Sequence, residues 1–424
     1  MRKLFILLLL TICVSVNSQV ATTKPQVVSD KIAVELPYDR LLKPAGIQIF
    51  FGDESLENHA MDAALSPDEK WLAVEERFSI VFISTADNKV KFVLRNNESP
   101  DLRGGMNTYS GIKWHTGSDG MQVFWSAVAR EGRSFVASAR WDGTKAEFGR
   151  FYEYRAISPA ETALPNEILI ESEKMHEYMY VVLNGNNRVI KQDLESGEIK
   201  WVADPGVAPY GLTMAAGKLY VTNWAGRHPE ENDPDVAGVP WGLARVDNKD
   251  AGGATREGSV TILDPSDGTI IKELVVGLHP NDIIADRNGK YVYLTNSNSD
   301  NVMVISTETD DIAETISVRL LPESNPFFGD SPNGLCLSTD GRLLFVANGM
   351  DNALAVIKLT GKGSSVNGRH KSQIAGFIPT GAYPSSISVS KKGNLYVTNL
   401  EAIGAREGLN YPNTDNIIYN SHNM

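Results

Sequence analysis

Leu395-Tyr396-Val397-Thr398-Asn399 is the stretch that decides the fold, because the chain writes it more than once. Leu219-Tyr220-Val221-Thr222-Asn223 is a literal second copy, and Tyr293-Leu294-Thr295-Asn296 and Phe345-Val346-Ala347-Asn348 are variants. Each copy is preceded by the same sentence: a proline, a short apolar run, then a glycine turn. The runs are Pro209-Tyr210-Gly211-Leu212, Pro280-Asn281-Asp282-Ile283, Pro332-Asn333-Gly334-Leu335 and Pro384-Ser385-Ser386-Ile387, and the turns are Gly217, Gly289, Gly341 and Gly393. The closing asparagines lie 73, 52 and 51 residues apart, and the long first interval contains an insertion. A period of this size marks a repeat architecture.

Each unit reads as consecutive strands. Proline is tolerated where a strand opens, since its missing N–H costs nothing there. Asn288-Gly289, Asp340-Gly341 and Lys392-Gly393 are hairpin turns between β-branched and aromatic runs. A third strand follows, as in Asn301-Val302-Met303-Val304-Ile305, and a fourth, as in Glu314 to Val318. Four antiparallel strands make one propeller blade. Fainter copies stand upstream. Asp62 to Lys70 leads to Trp71-Leu72-Ala73-Val74-Glu75, and Pro165-Asn166-Glu167-Ile168 leads to Tyr180-Val181-Val182-Leu183-Asn184. Between them, residues 108 to 157 hold four strands without the motif, Ser134 to Trp141 among them. The expected fold is therefore all-β, a seven-bladed β-propeller with blades starting near 59, 108, 165, 207, 279, 331 and 383. The last blade is short of strands, with only Asn416 to Tyr419 to follow. Ile47-Gln48-Ile49-Phe50-Phe51 alternates like a strand, so the N-terminal segment is expected to supply the outer strand of blade seven and close the ring.

The termini set the compartment. Arg2 and Lys3 precede an apolar run from Leu4 to Val16, and Val16 and Ser18 suit a cleavage site before Gln19. The expected organisation is a signal peptide over 1–18, a lead-in over 19–45, the propeller over 46–410 and a polar tail over 411–424. A lipoprotein signal would use Leu10-Thr11-Ile12-Cys13, but Ile12 is bulky where such signals prefer a small residue. The chain should be exported, periplasmic or at the cell surface, with no transmembrane segment once the signal is cleaved. Cys336 then lacks an intrachain partner and reads as a small buried thiol between Leu335 and Leu337. A formal charge of −12 repels phosphate backbones and argues against nucleic acid as a partner.

Tyr220-Val221-Thr222-Asn223 and Tyr396-Val397-Thr398-Asn399 resemble the signature of the YVTN-repeat, YncE-like, surface-layer-type β-propellers. Ser331-Pro332-Asn333-Gly334, Ala375 to Gly381 and Asn399 to Gly404 are similar to the propeller part of bacterial fusions with an alkaline-phosphatase-type phosphoesterase domain. That resemblance covers roughly residues 25 to 410 and implies fold more than chemistry. Such fusions continue into a metal-binding half where this sequence ends at Met424; the resemblance leaves three expectations, that this half was lost, that it lies on another chain as a phosphoesterase partner, or that it was never present.

Site candidates follow from propeller topology. The motif prolines and the terminal asparagines emerge on one loop-rich face around the central channel. Asn166, Glu167, Asn281, Asp282 and Asn333 belong there, with Asn184, Asn223, Asn296, Asn348 and Asn399. Blade one adds His59, Asp62, Glu75, Glu76 and Arg77. Asparagines repeated in many blades fit turn capping better than a site, which needs unlike residues. The insertion from Trp224 to Glu257 is more individual. Its Trp224, Arg227, His228, Trp241, Arg256 and Glu257 are expected to cover the channel mouth and grip a polar ligand. Gly252-Gly253 lacks the strand–turn–helix context of a phosphate loop. Seven scattered histidines, without HExxH or a haem-attachment motif, give no cofactor. An oxygen-ligand calcium site drawn from Asp62, Glu75 or Asp282 is the one metal arrangement the residue types suggest. The expected function is a non-enzymatic binding scaffold for a protein, glycan or small molecule. The alternatives are the propeller half of a phosphoesterase system or a lactonase-like metal-dependent hydrolase.

Overall fold

A computed structural model of the chain describes residues 27–28, 34–36, 40–52, 56, 58–117, 120–247, 254–321, 329–360 and 371–401. The segment 1–18 expected to be a signal peptide, the glycine pair 252–253, the strand expected at 416–419 and the tail 411–424 lie outside the described residues.

The described chain is strand throughout, apart from two single-turn 3-10 segments at Asn96–Glu98 and Arg130–Gly132. Among the described residues no helix is long and apolar enough to cross a membrane. The strands form successive antiparallel sheets, each read off the repeat. The first holds Ala60–Leu65, Trp71–Glu76, Ser79–Ser84 and Lys89–Arg95. The second holds Lys113–Gly117, Gly120–Val128, Ser134–Trp141 and Ala146–Tyr154, with Met106–Asn107 added on Gly120–Val128. The third begins at Pro165, the fourth at Pro209, the fifth at Pro280 and the sixth at Pro332, each with four strands in sequence order. The seventh has two among the described residues, Pro384–Val389 and Leu395–Asn399.

The two middle strands of a sheet are buried on both faces, so they are apolar almost throughout. Ser79–Ser84 and Gly258–Leu263 are buried at every position. Outer strands alternate, as Lys89–Arg95 does. The buried clusters lie between consecutive sheets. Phe82 and Leu94 pack with Trp125 and Trp141, Tyr180 and Val182 with Leu219 and Val221, and Val302 and Val304 with Leu344 and Val346. Val74, Val81 and Ile83 of the first sheet share a cluster with Tyr396 of the seventh.

The motif residues join one sheet to the next. Thr222 Oγ1 donates to the Asn281 carbonyl (2.8 Å), Thr295 Oγ1 to that of Asn333 (2.7 Å) and Ser126 Oγ to that of Asn166 (2.6 Å). Ser385, paired with Thr398, donates to the Ala60 carbonyl at 2.9 Å. The sixth sheet has Ala347 at this place and lacks the hydroxyl. The asparagines bind framework too: Asn184 Nδ2 reaches the Pro209 carbonyl (2.9 Å) and Asn348 Nδ2 that of Val318 (2.7 Å). Thr222→Val keeps the shape and deletes the hydroxyl, leaving the Asn281 carbonyl and the Gly211 N–H without it. It should cost about 1–3 kcal/mol, seen as a lower urea midpoint at unchanged slope.

One strand expectation is corrected. Gln48–Ile49 pairs antiparallel with Val27–Val28, not with the seventh sheet. Among the described residues Leu395–Asn399 has one ladder partner, Pro384–Val389. Ile49 and Phe51 nonetheless pack in the cluster that contains Tyr396, and the Ala45 N–H bonds the Pro379 carbonyl of the sixth sheet at 2.9 Å. Apolar burial, not ladder pairing, holds this segment in place.

Candidate functional site

The first strand of each sheet brings the same three positions to the axis. The residue before the motif proline is held at positive φ in every case: Leu164 (47°), Ala208 (56°), His279 (52°), Ser331 (52°) and Tyr383 (56°). This backbone is unfavourable for side chains with a Cβ, so something must hold it. Turn residues of the preceding sheet do so: Asn187 Oδ1 accepts the Ala208 N–H (2.8 Å) and Asn352 Oδ1 the Tyr383 N–H (2.9 Å). The distortion aims His279 and Tyr383 at a cavity of about 470 Å³.

Two residues past the proline position, the strands carry unlike side chains: Asp62, Glu167, Gly211, Asp282, Gly334 and Ser386, joined by Lys113 from the second sheet. All line the cavity. The two glycines are steric. A Cβ at Gly211 would lie 2.6 Å from the Asn281 carbonyl oxygen, and one at Gly334 2.5 Å from that of Ser385. Asp62 and Asp282 are twins. Asp62 Oδ1 accepts the Ser386 hydroxyl (2.6 Å) and the Ala63 N–H (2.7 Å), and its Oδ2 accepts the Gly111 N–H (3.1 Å). Asp282 accepts the N–H groups of Ile283 (2.8 Å) and Leu335 (2.7 Å).

Lys113 Nζ meets Glu167 Oε1 at 2.5 Å. Behind them lies Glu75, cross-strand from Asp62, wholly buried, with both oxygens lacking a hydrogen-bond partner. Negative charge exceeds positive here, and the acids respond. Burial, then Asp62 and Glu167, pushes Glu75 well above the usual carboxylate range. Burial pushes Glu167 up to about 7 and Asp282 up to about 6, more than Lys113 lowers them. Burial alone would depress the Lys113 ammonium, but Glu167, Asp62 and Asp282 drive it above the ordinary lysine range.

Aromatic rings form the wall at the proline end. Trp224 stacks between Tyr210 (4.6 Å between centroids) and His279 (4.4 Å). Its indole N–H donates to Asn281 Oδ1 at 2.7 Å, and Asn281 Nδ2 donates to Asn333 Oδ1 at 2.9 Å. Burial lowers His279 to about 4, so the ring is neutral.

Of the insertion's described residues, Trp224 alone lines the cavity. Val236–Val239, Gly242–Asp247 and Ala254–Thr255 fold into a small sheet of their own. Arg227 grips Asp233 with two hydrogen bonds (2.7 and 2.8 Å), and Arg245 holds Glu257 (2.8 Å) and approaches Asp233 (3.5 Å). Arg256 faces Asp235 at 3.6 Å, and His228 faces Asp204 at 2.5 Å. Trp241 packs on Val207, Ala225 and Ala244. Arg227, Arg256 and Glu257 thus pair with charges of the insertion itself, and His228 with Asp204 before it.

In blade one, His59 Nδ1 lies 3.0 Å from the Leu400 carbonyl, and the Arg77 guanidinium sits over the Phe78 ring at 5.3 Å. Neither lines the cavity. Asn166 contributes its carbonyl to the Ser126 hydroxyl. Among the described residues no three His, Cys, Asp or Glu side chains are grouped to hold a metal ion. Cys336 is half-buried, and burial pushes its thiol up to about 12.

Sequence reasoning singled out Asp62, Glu75, Trp224, Asn281 and Asn333 but passed over Lys113, Tyr210, His279 and Tyr383. The available signal was variation: aligned on the proline, the third position reads Glu, Gly, Asp, Gly, Ser, where a framework position would repeat.

Neither a family model nor a curated protein sequence matches the chain. Solved structures do match its fold. Hydrazine synthase of Kuenenia stuttgartiensis is 14% identical with a TM-score of 0.56, over 81% of this chain and 93% of that one. The Dos1 propeller is 12% identical with a TM-score of 0.51, over 90% of this chain and 92% of that one. With its succession of four-stranded antiparallel sheets, the chain is a β-propeller.

Proposed function

We propose that the protein is an exported, seven-bladed propeller of the YVTN-repeat kind that binds a small molecule in the axial cavity of its loop-rich face. The ring would close where Ser385, Ser386 and Ser388 bond Ala60, Asp62 and Ala63, with residues 45–51 packed alongside. One observation carries the binding reading: the unlike residues Asp62, Glu167, Gly211, Asp282, Gly334 and Ser386, at one repeated position of the sheets, line a cavity of about 470 Å³, a volume suited to a small ligand. The groups there favour binding over attack. Lys113 is held as an ammonium, not as a free amine nucleophile.

Native mass spectrometry and thermal-shift screening of the purified chain against small cations, neutral compounds and anions test this reading. At least one class should be retained and should perturb Trp224 fluorescence. Trp224→Ala should weaken the retained compound about tenfold or more, because it removes the ring that orders Tyr210 and His279. An unchanged affinity in that variant places the binding site elsewhere and overturns the assignment.

A further inference from the structure

The cavity has a charge imbalance that a ligand would be expected to correct. Asp62, Glu167 and Asp282 line it, with Lys113 as the one lysine or arginine among the described lining residues. Glu75 stands behind Asp62, at 0% exposure, and no donor reaches either oxygen. Because Glu75 and Asp62 are directly opposed in an antiparallel pair, their side chains project to the same face of the sheet. Its charged neighbours are Asp62, Glu167 and Lys113. A buried carboxyl group without a donor lacks a partner the fold does not supply. The other titratable groups facing this ring bring no compensating charge: His279 is neutral, and burial keeps the Tyr210 phenol protonated. Around the acids stand surfaces suited to an organic body, the stacked Tyr210, Trp224 and His279 on one side and Ile112, Ile284 and Leu335 on the other.

We propose that the ligand is an organic cation, an amine carrying an aromatic or apolar body, whose ammonium group is held among the Asp62, Glu167 and Asp282 carboxylates, with Glu75 buried behind them, while its body rests on the aromatic wall. This rests on the small-molecule reading of the cavity. The ammonium replaces protons that the acids otherwise retain. Glu167 and Asp282, pushed up to about 7 and about 6, are protonated in mild acid and ionised above it. A cation binds the ionised form, so its affinity rises with pH through that window and protons are released on binding. A primary amine stays charged throughout, with a pKa near about 10. Lys113 opposes the ligand, because its ammonium already occupies part of the acidic ring.

The test is calorimetry on the whole chain with phenethylammonium, its neutral analogue phenethyl alcohol, and the anion 3-phenylpropionate. At about pH 7.5 the amine should bind about tenfold or more tighter than the alcohol, and it should weaken about tenfold at about pH 5.5. Heats in two buffers of different ionisation enthalpy should report proton release. Glu167→Gln should weaken the amine about tenfold, whereas Lys113→Met should tighten it about threefold or more. The opposite sign at Lys113 separates a cation site from one in which the lysine anchors an anion, and the Glu167 variant serves if Lys113→Met does not fold. Alcohol or 3-phenylpropionate binding as well as the amine, with Trp224 fluorescence responding, overturns the cation assignment and leaves the cavity reading standing. If none of the three binds while the broader screen retains another compound in the cavity, the cation assignment again falls alone. If nothing binds in either experiment, both fall.

Discussion

Asp62→Ala should lower the unfolding free energy by about 3–5 kcal/mol, the largest loss expected from any single polar side chain here. The reason is where its hydrogen bonds go. Asp62 lies in the first sheet, but it takes the Ser386 hydroxyl from the seventh sheet and the Gly111 N–H from the second, as well as the Ala63 N–H of its own strand. The Ile112 N–H also points at Oδ2, at 3.4 Å. Gly111 and Ile112 are buried, and their N–H groups lose this acceptor when the carboxylate is removed. Each buried donor left unsatisfied costs about 1–3 kcal/mol. Asp62→Asn keeps one acceptor oxygen and should recover about half the loss. Asp282→Ala bridges two sheets instead of three and should cost less. Urea titration measures all three, and a loss below about 1 kcal/mol for Asp62→Ala would mean that packing around Tyr396 suffices to join the first and seventh sheets.

Glu75→Gln should act in the other direction, raising the stability at about pH 8. The sign follows from linkage. The folded carboxyl holds its proton well above the ordinary value of 4.5, while the unfolded one releases it there. Between those two values the native state binds more protons than the unfolded state, so wild-type stability falls as pH rises. An amide carries no proton to lose and removes that slope. Glu76 and Glu167, each pushed up to about 7, and Asp282, up to about 6, leave a smaller residual slope in the variant. Melting curves from about pH 5 to about pH 8 should therefore diverge toward the alkaline end, with the variant higher. If the variant is less stable than wild type at about pH 8, Glu75 is ionised and compensated, and the account of the acidic ring is wrong.

Much of this architecture is legible because it is local. The proline that opens a strand, the glycine turn and the apolar second strand are written within about twenty residues of one another, and hydrogen bonds between neighbours in sequence carry them out. That is why the sheets begin at Pro165, Pro209, Pro280, Pro332 and Pro384. The pairing within the insertion is illegible for the complementary reason. Composition counts the charges of Arg227 and Glu257 without pairing them, and their partners Asp233 and Arg245 emerge only when the small sheet folds. The N-terminal strand was misread because alternation reports which face is buried and not which edge is paired.

The repeated Tyr-Val-Thr-Asn strands determine, by themselves, the strand order, the four-stranded sheets and the propeller class, since their information lies in short-range pattern. Their threonines gained a role the pattern could not show: Thr222 and Thr295 bind the next sheet's carbonyl groups, a contact across 59 and 38 residues. The tertiary structure alone decided the site. Asp62, Lys113, Glu167 and Asp282 are spread over more than two hundred residues and become neighbours only because successive sheets turn their first strands toward one axis. Their chemistry follows from that crowding, because burial and mutual repulsion act on distance in space and not on distance along the chain.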